Sequence, residues 1–140
     1  MADQPEEPGT DERPRQFFFD VTAIPGKTNA ELFDGVAGAE QFLEYLGSDL
    51  VTRTLVNSPE LSVYHETAKP GEQVKPHRHG THQLNYILRG ELIFGRRHVG
   101  AGMGFFTPDM LYSWRAGEEG AEWIEIHAGQ PAIFLEQRPH

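Results

Sequence analysis

Three of the seven histidines fall within six residues of one segment, PHRHGTHQLNYILRG (76–90). His77 and His79 are two apart, and on a β-strand such side chains share a face about 6–7 Å apart. They can therefore converge on one ion while Arg78 faces away. The chain has no cysteine, so thiolate ligands and cysteine nucleophiles are excluded. Neutral imidazoles suit iron, manganese, nickel, copper or zinc better than calcium or magnesium. A divalent transition metal of unspecified identity is the expected cofactor. The competing reading is a solvent-exposed strand face with incidental histidines, and the flanking residues argue against it.

Gly71, five residues, His77-x-His79, three residues, Gln83, six residues and Gly90 match the first motif of the cupins at each interval, with Gln83 where glutamate is usual. Downstream, Gly102, five residues, Pro108 and MLYSW (110–114) resemble the second cupin motif. There Met110 stands for its glycine and Ser113 for its histidine. The resemblance covers roughly residues 50–137. It implies an all-β, double-stranded β-helix (jelly-roll) barrel with His77, His79 and the Gln83 position as metal ligands. Within the cupins the chain is most similar to small single-domain proteins.

The two substitutions change the expected chemistry. Gln83 can coordinate through its amide oxygen, but it is no carboxylate base and adds no negative charge to an ion. An ion so held would favour an anionic or chelating substrate at its open positions. A replacement ligand can come from His82, just past Gly80-Thr81, or from His127 in AEWIEIHA (121–128). That strand alternates Trp123, Glu125 and His127 with Ile124 and Ile126, and either face can look inward. If it is the first, the site regains a carboxylate and an imidazole. By parity Asn85 accompanies Gln83 and needs hydrogen-bond partners when buried, which makes it a candidate substrate contact. Tyr112 and Ser113 lie where the second motif reaches the metal, and either hydroxyl can donate to a substrate oxygen. Tyr112, His82 and Glu125 are the candidate acids and bases; ordinary barrel packing competes for Tyr112. His65 reads as a core or interface histidine, and His98 and His140 as solvated.

These residues need a β framework. LVTRTLV (50–56), LSVYHETA (61–68), QLNYILR, ELIFGRR, GFFTP, AEWIEIHA and AIFLEQR are short β runs at roughly ten-residue spacing, punctuated by Gly, Pro or Asp. FFFDVTAI (17–24) reads as a further strand, edge or intersubunit, and GAEQFLEYLG (38–47) as one short helix ended by Gly47. Residues 1–16 hold three prolines and five acids and read as a disordered tail, leaving 17–140 as one domain.

At 140 residues and 38% hydrophobic, one compact core is expected. Twenty-one acids against twelve bases give a net charge of −9, which disfavours nucleic acid and anionic membranes. No signal peptide or membrane span is evident, and the absence of cysteine suits the cytoplasm. The apolar FFF at 17–19 suggests a homodimer. Three functions follow: a metal-dependent dioxygenase on a small molecule, preferred; a metal-assisted isomerase, cyclase or lyase; or a non-catalytic small-molecule-binding barrel.

Overall fold

The computed structural model describes residues 15–47 and 49–139, so most of the expected disordered tail lies outside them. Eight strands form one antiparallel sheet: β1 (Lys27–Thr28), β2 (Val51–Asn57), β3 (Ser62–Ala68), β4 (Gln73–His77), β5 (Gln83–Phe94), β6 (Arg97–Gly100), β7 (Gly104–Thr107) and β8 (Tyr112–His127). Their order is β1-β2-β3-β8-β5-β6, with β4 also on β8 and β7 also on β5. Helices α1 (Asn29–Leu32) and α2 (Ala39–Leu46) precede the long strands.

The two longest strands do the folding over. β8 pairs with β4 through Tyr112–Arg115 and with β3 through Ala121–His127. β5 follows it along both halves, with register shifts on either side of Gly90. Gly90 has φ +70°, and a Cβ there would strike the carbonyl of Gly120, itself at φ +76°. The chains meet backbone to backbone at this bend, which only glycine permits. QLNYILR and ELIF are thus one strand, Gln83–Phe94, bent at Gly90, rather than two runs separated by the glycine.

Two other segments differ from expectation. Residues 17–24 form no strand: Val21–Ala23 make a 3-10 turn that Asp20 caps, Thr22 N–H donating to its Oδ1 at 2.9 Å. A side-chain acceptor so close in sequence outcompetes a sheet partner. AIFLEQR is not a strand either. It crosses the barrel as an irregular segment tied by one bridge, Arg78 to Phe134.

Ala68, Val74, Ile87, Leu92, Val99, Trp114, Ala116, Ala121 and Trp123 make the core. Trp114 and Trp123 meet edge to face with centroids 5.1 Å apart, a favoured aromatic geometry. They also form one wall of a cavity of about 330 Å³, whose other walls are polar residues of β2, β3, β4 and β8 and apolar residues of α1 and α2. Among the described residues no helix is long and apolar enough to cross a membrane.

Candidate metal centre

β4 ends at His77, which is 3% exposed. Its Nδ1 lies 2.8 Å from the carbonyl of Lys75. A carbonyl carries no proton, so Nδ1 must donate, and the Nε2 lone pair is left unprotonated. His79 follows the same rule: Nδ1 donates to the carbonyl of Ala132 at 2.9 Å, and Nε2 lies 3.2 Å from the Tyr112 hydroxyl. Backbone carbonyls that fix the tautomer in this way are the usual support of metal-binding imidazoles. Burial pushes the pKa of His77 down and that of His79 to about 4, so both are neutral at pH 7 and could serve as ligands.

Alternation along β8 turns Trp123, Glu125 and His127 into the barrel and leaves Ile124 and Ile126 on the other face. His127 is fully buried. Its Nε2 lies 2.8 Å from Glu125 Oε2, and its Nδ1 lies 2.8 Å from the Thr81 hydroxyl. Burial pushes the Glu125 carboxyl up, but the hydrogen bond to His127 and the electrostatic attraction of the His127 and His79 rings outweigh it and hold the group well below the usual carboxylate range. Donor atoms of His79, Glu125 and His127 all lie within 4.8 Å of one another. His77 stands beside them, its ring centroid 4.9 Å from that of His79.

The other expected site residues divide by strand parity. Gln83 and Asn85 point inward and are buried, but they form a layer of their own. Gln83 Oε1 accepts from Asn85 Nδ2 at 3.0 Å and from the Tyr112 hydroxyl at 3.3 Å. Its amide oxygen is thereby committed to orienting Tyr112 rather than offered to an ion. Asn85 Oδ1 is buried without a partner. Tyr112 lines the cavity, and burial, reinforced by Glu125, keeps its phenol protonated. Two further expected residues, His82 and Ser113, do not face the cavity. His82 is exposed and packs on Phe106, 5.8 Å between centroids, because the step that turns Gln83 inward turns its neighbour out. Ser113 is exposed for the same reason, lying between inward Tyr112 and Trp114.

The sequence reading passed over four residues: Thr81, which bonds His127, and Thr52, Tyr64 and Glu66, which line the cavity. The parity of SVYHETA places Tyr64 and Glu66 on one face, and that was the available signal.

The donor set fits a divalent transition metal: the neutral His77 and His79 imidazoles with fixed tautomers, with the His127 imidazole and the Glu125 carboxylate beside them; in cross-strand register with that carboxylate, the buried Asn85 amide oxygen has no partner. No Lys or Arg side chain lines the cavity.

No protein-family model and no curated protein matches the chain, whereas 141 chains of solved structures do. A candidate acetylacetone dioxygenase from Methylibium petroleiphilum PM1 is 9% identical, with 92% of this chain and 90% of that one covered and a TM-score of 0.67. The polyketide cyclase RemF from Streptomyces resistomycificus is 15% identical, with 90% and 89% covered and a TM-score of 0.64. An RmlC-like cupin from Shewanella frigidimarina NCIMB 400 is 18% identical, with 84% and 93% covered and a TM-score of 0.58. The bent pair β5 and β8, the sheet order and these likenesses agree: the chain is a small barrel protein of the cupin fold.

Proposed function

We propose that the protein is a metal-dependent enzyme that oxidises a small, neutral, oxygen-chelating organic molecule with dioxygen. The observation that carries this reading is the convergence of His79, Glu125 and His127 within 4.8 Å beside a cavity without cationic side chains. Two imidazoles and one carboxylate with open positions form the donor set of non-haem iron oxygenases. Iron(II) is therefore the first choice, with manganese, nickel, copper and zinc behind it. A bound ion would supply Lewis acidity to adjacent substrate oxygens and a centre at which dioxygen reacts. Residues of the chain do the rest: His77 and Tyr112 flank the centre, while Trp114, Trp123 and the apolar residues of α1 and α2 exclude water.

The site is less electron-poor than Gln83 and Ser113 suggested, because Glu125 restores a carboxylate. The Glu125 carboxylate offsets part of the charge of a bound divalent ion, and among the described residues no Lys or Arg lines the cavity to receive a further anion, which favours a neutral chelator. Molecules with ketone oxygens in 1,3 relation meet that description, and two of the fold neighbours are named for acetylacetone and polyketide chemistry. The test is metal analysis of the purified full chain, followed by oxygen uptake after loading with iron(II) and adding acetylacetone. One ion per chain and stoichiometric uptake are expected; no ion retained, or none of the uptake, overturns the reading.

A second reading, metal-assisted cyclisation, isomerisation or elimination, is favoured by the protonated Tyr112 beside the centre. Turnover that persists without oxygen selects it. Retained ligand binding with no turnover under any gas selects the binding barrel. A homodimer and a cytoplasmic location belong to the same proposal.

A further inference from the structure

β3 carries a second carboxyl into the cavity that the metal centre does not use. Glu66 is 4% exposed, in register with Trp123, one inward position along β3 from Tyr64, which is in register with Glu125. Thr52 is its hydrogen-bond partner, the hydroxyl donating to Oε2 at 2.7 Å. The groups that face it from the surrounding elements are acidic or neutral: Glu125 and Tyr112 of β8, Glu72 before β4, Tyr64 of β3, and the neutral imidazoles of His77 and His79. A buried carboxylate with one hydroxyl donor and no cation is too costly to keep ionised. Burial first, then the charge of Glu125, pushes its carboxyl well above the ordinary range, the opposite of Glu125. Two carboxyls driven apart by one cavity divide into a ligand and a proton-bearing acid.

We infer that Glu66 is the cavity's second recognition group: its carboxylic O–H donates to a neutral acceptor oxygen of the substrate, and selects ketones over carboxylates. The inference deepens the proposed function and rests on it for the identity of the substrate class, but the subsite itself needs no metal. A ketone oxygen has no proton and accepts from Glu66. In the metal-free chain a carboxylate would bring a further negative charge beside Glu125 and must shed its own hydration without a cation to receive it.

The probe is acetophenone, a neutral aromatic ketone that cannot chelate or ionise, titrated into the metal-free full chain, with benzoate as the anionic counterpart. Wild type should bind acetophenone at least about tenfold more tightly than benzoate at pH 7, the effect expected of one buried hydrogen bond. Glu66→Ala should lose about tenfold for acetophenone. Glu66→Gln, whose amide still donates, should stay near wild type and lose any weakening at high pH. The thermal unfolding midpoint supplies a readout without ligand. Wild type should lose stability relative to Glu66→Gln as pH rises above the ordinary glutamate range, since only its folded state retains the proton there. Equal acetophenone binding by wild type and Glu66→Ala, benzoate bound as tightly as acetophenone, or no acetophenone binding at all would overturn the inference. Absent metal or oxygen uptake would instead sink the proposed reaction and leave this subsite standing.

Discussion

Glu125 and His127 are held 2.8 Å apart, closer than two groups with separate purposes need to be. Glu125→Gln keeps the shape and removes the charge, so metal affinity should fall by more than the roughly 10–100-fold typical of outer partners. Thr81→Val, which deprives His127 Nδ1 of its partner, should fall within that range. Isothermal titration of the metal-free chain measures both. The histidines also set an acid limit. The unfolded chain takes up a proton near the ordinary histidine pKa of about 6.5, and folded His79 only near 4. Unfolding therefore binds protons in that window, and metal-free stability should fall as pH drops from about 6.5 to 4. Thermal melts across it, flattened in His79→Gln, are the check. His77 and His79 were legible because an H-x-H pair and its flanking glycines point to both the strand face and the fold. Glu125 and His127 were legible as a pair but not as a direction, since parity leaves the inward face open. Glu66 carried no signal of its own, because a lone acid in a strand reads as a solvated position until its neighbours are known to close over it.

Helices α1 and α2 form part of the cavity wall, and a buried polar side chain helps to couple them. Asn29, 6% exposed, donates from Nδ2 to the carbonyls of Leu46 at 3.1 Å and Gly47 at 3.0 Å, closing off the end of α2. Asn29→Ala should cost about 1–3 kcal/mol, the range for stranding buried carbonyls. Because that wall is apolar, the same variant should also weaken acetophenone binding while leaving metal affinity intact. Hydrogen exchange at α2 amides and ligand titration would separate the two effects. At this scale the short β runs were readable from period-two alternation and Gly or Pro punctuation. The bend of β5 was not, since Gly90 looks identical as a strand end and as a backbone crossing. The N-terminal FFFDVTAI misled because its apolar content is right for a strand, while Asp20 supplies a local cap.

The outer face of the sheet carries a large apolar surface. Leu84, Tyr86 and Leu88 alternate outward along β5 and are 50%, 50% and 42% exposed, and Phe106, in register with Leu84, is 62% exposed. Contiguous apolar surface of this kind marks an interaction site. A second copy meeting it face to face is the partner the proposed homodimer requires. Leu84→Lys should shift the chain to monomer in light scattering without changing its metal content; wild type already monomeric would sink the dimer.

Within one molecule, the segment after β8 returns across the start of the site. Arg78 and Phe134 exchange backbone hydrogen bonds at 2.9 Å, the Arg78 guanidinium covers the Phe134 ring at 4.2 Å and bonds Asp109 at 3.1 Å, and Ala132 both donates to and accepts from His79. The end of the chain is thus a latch on one ligand. Whenever it lifts, His79 loses the carbonyl that fixes its tautomer, and an ion held there would lose a donor. The residence time of the metal then has a ceiling set by how often the latch opens. The exchange rate of the Ala132 amide and the rate of metal release to a chelator should rise together when Phe134→Ala loosens the clasp, which would make this segment a regulator of how long a bound ion stays.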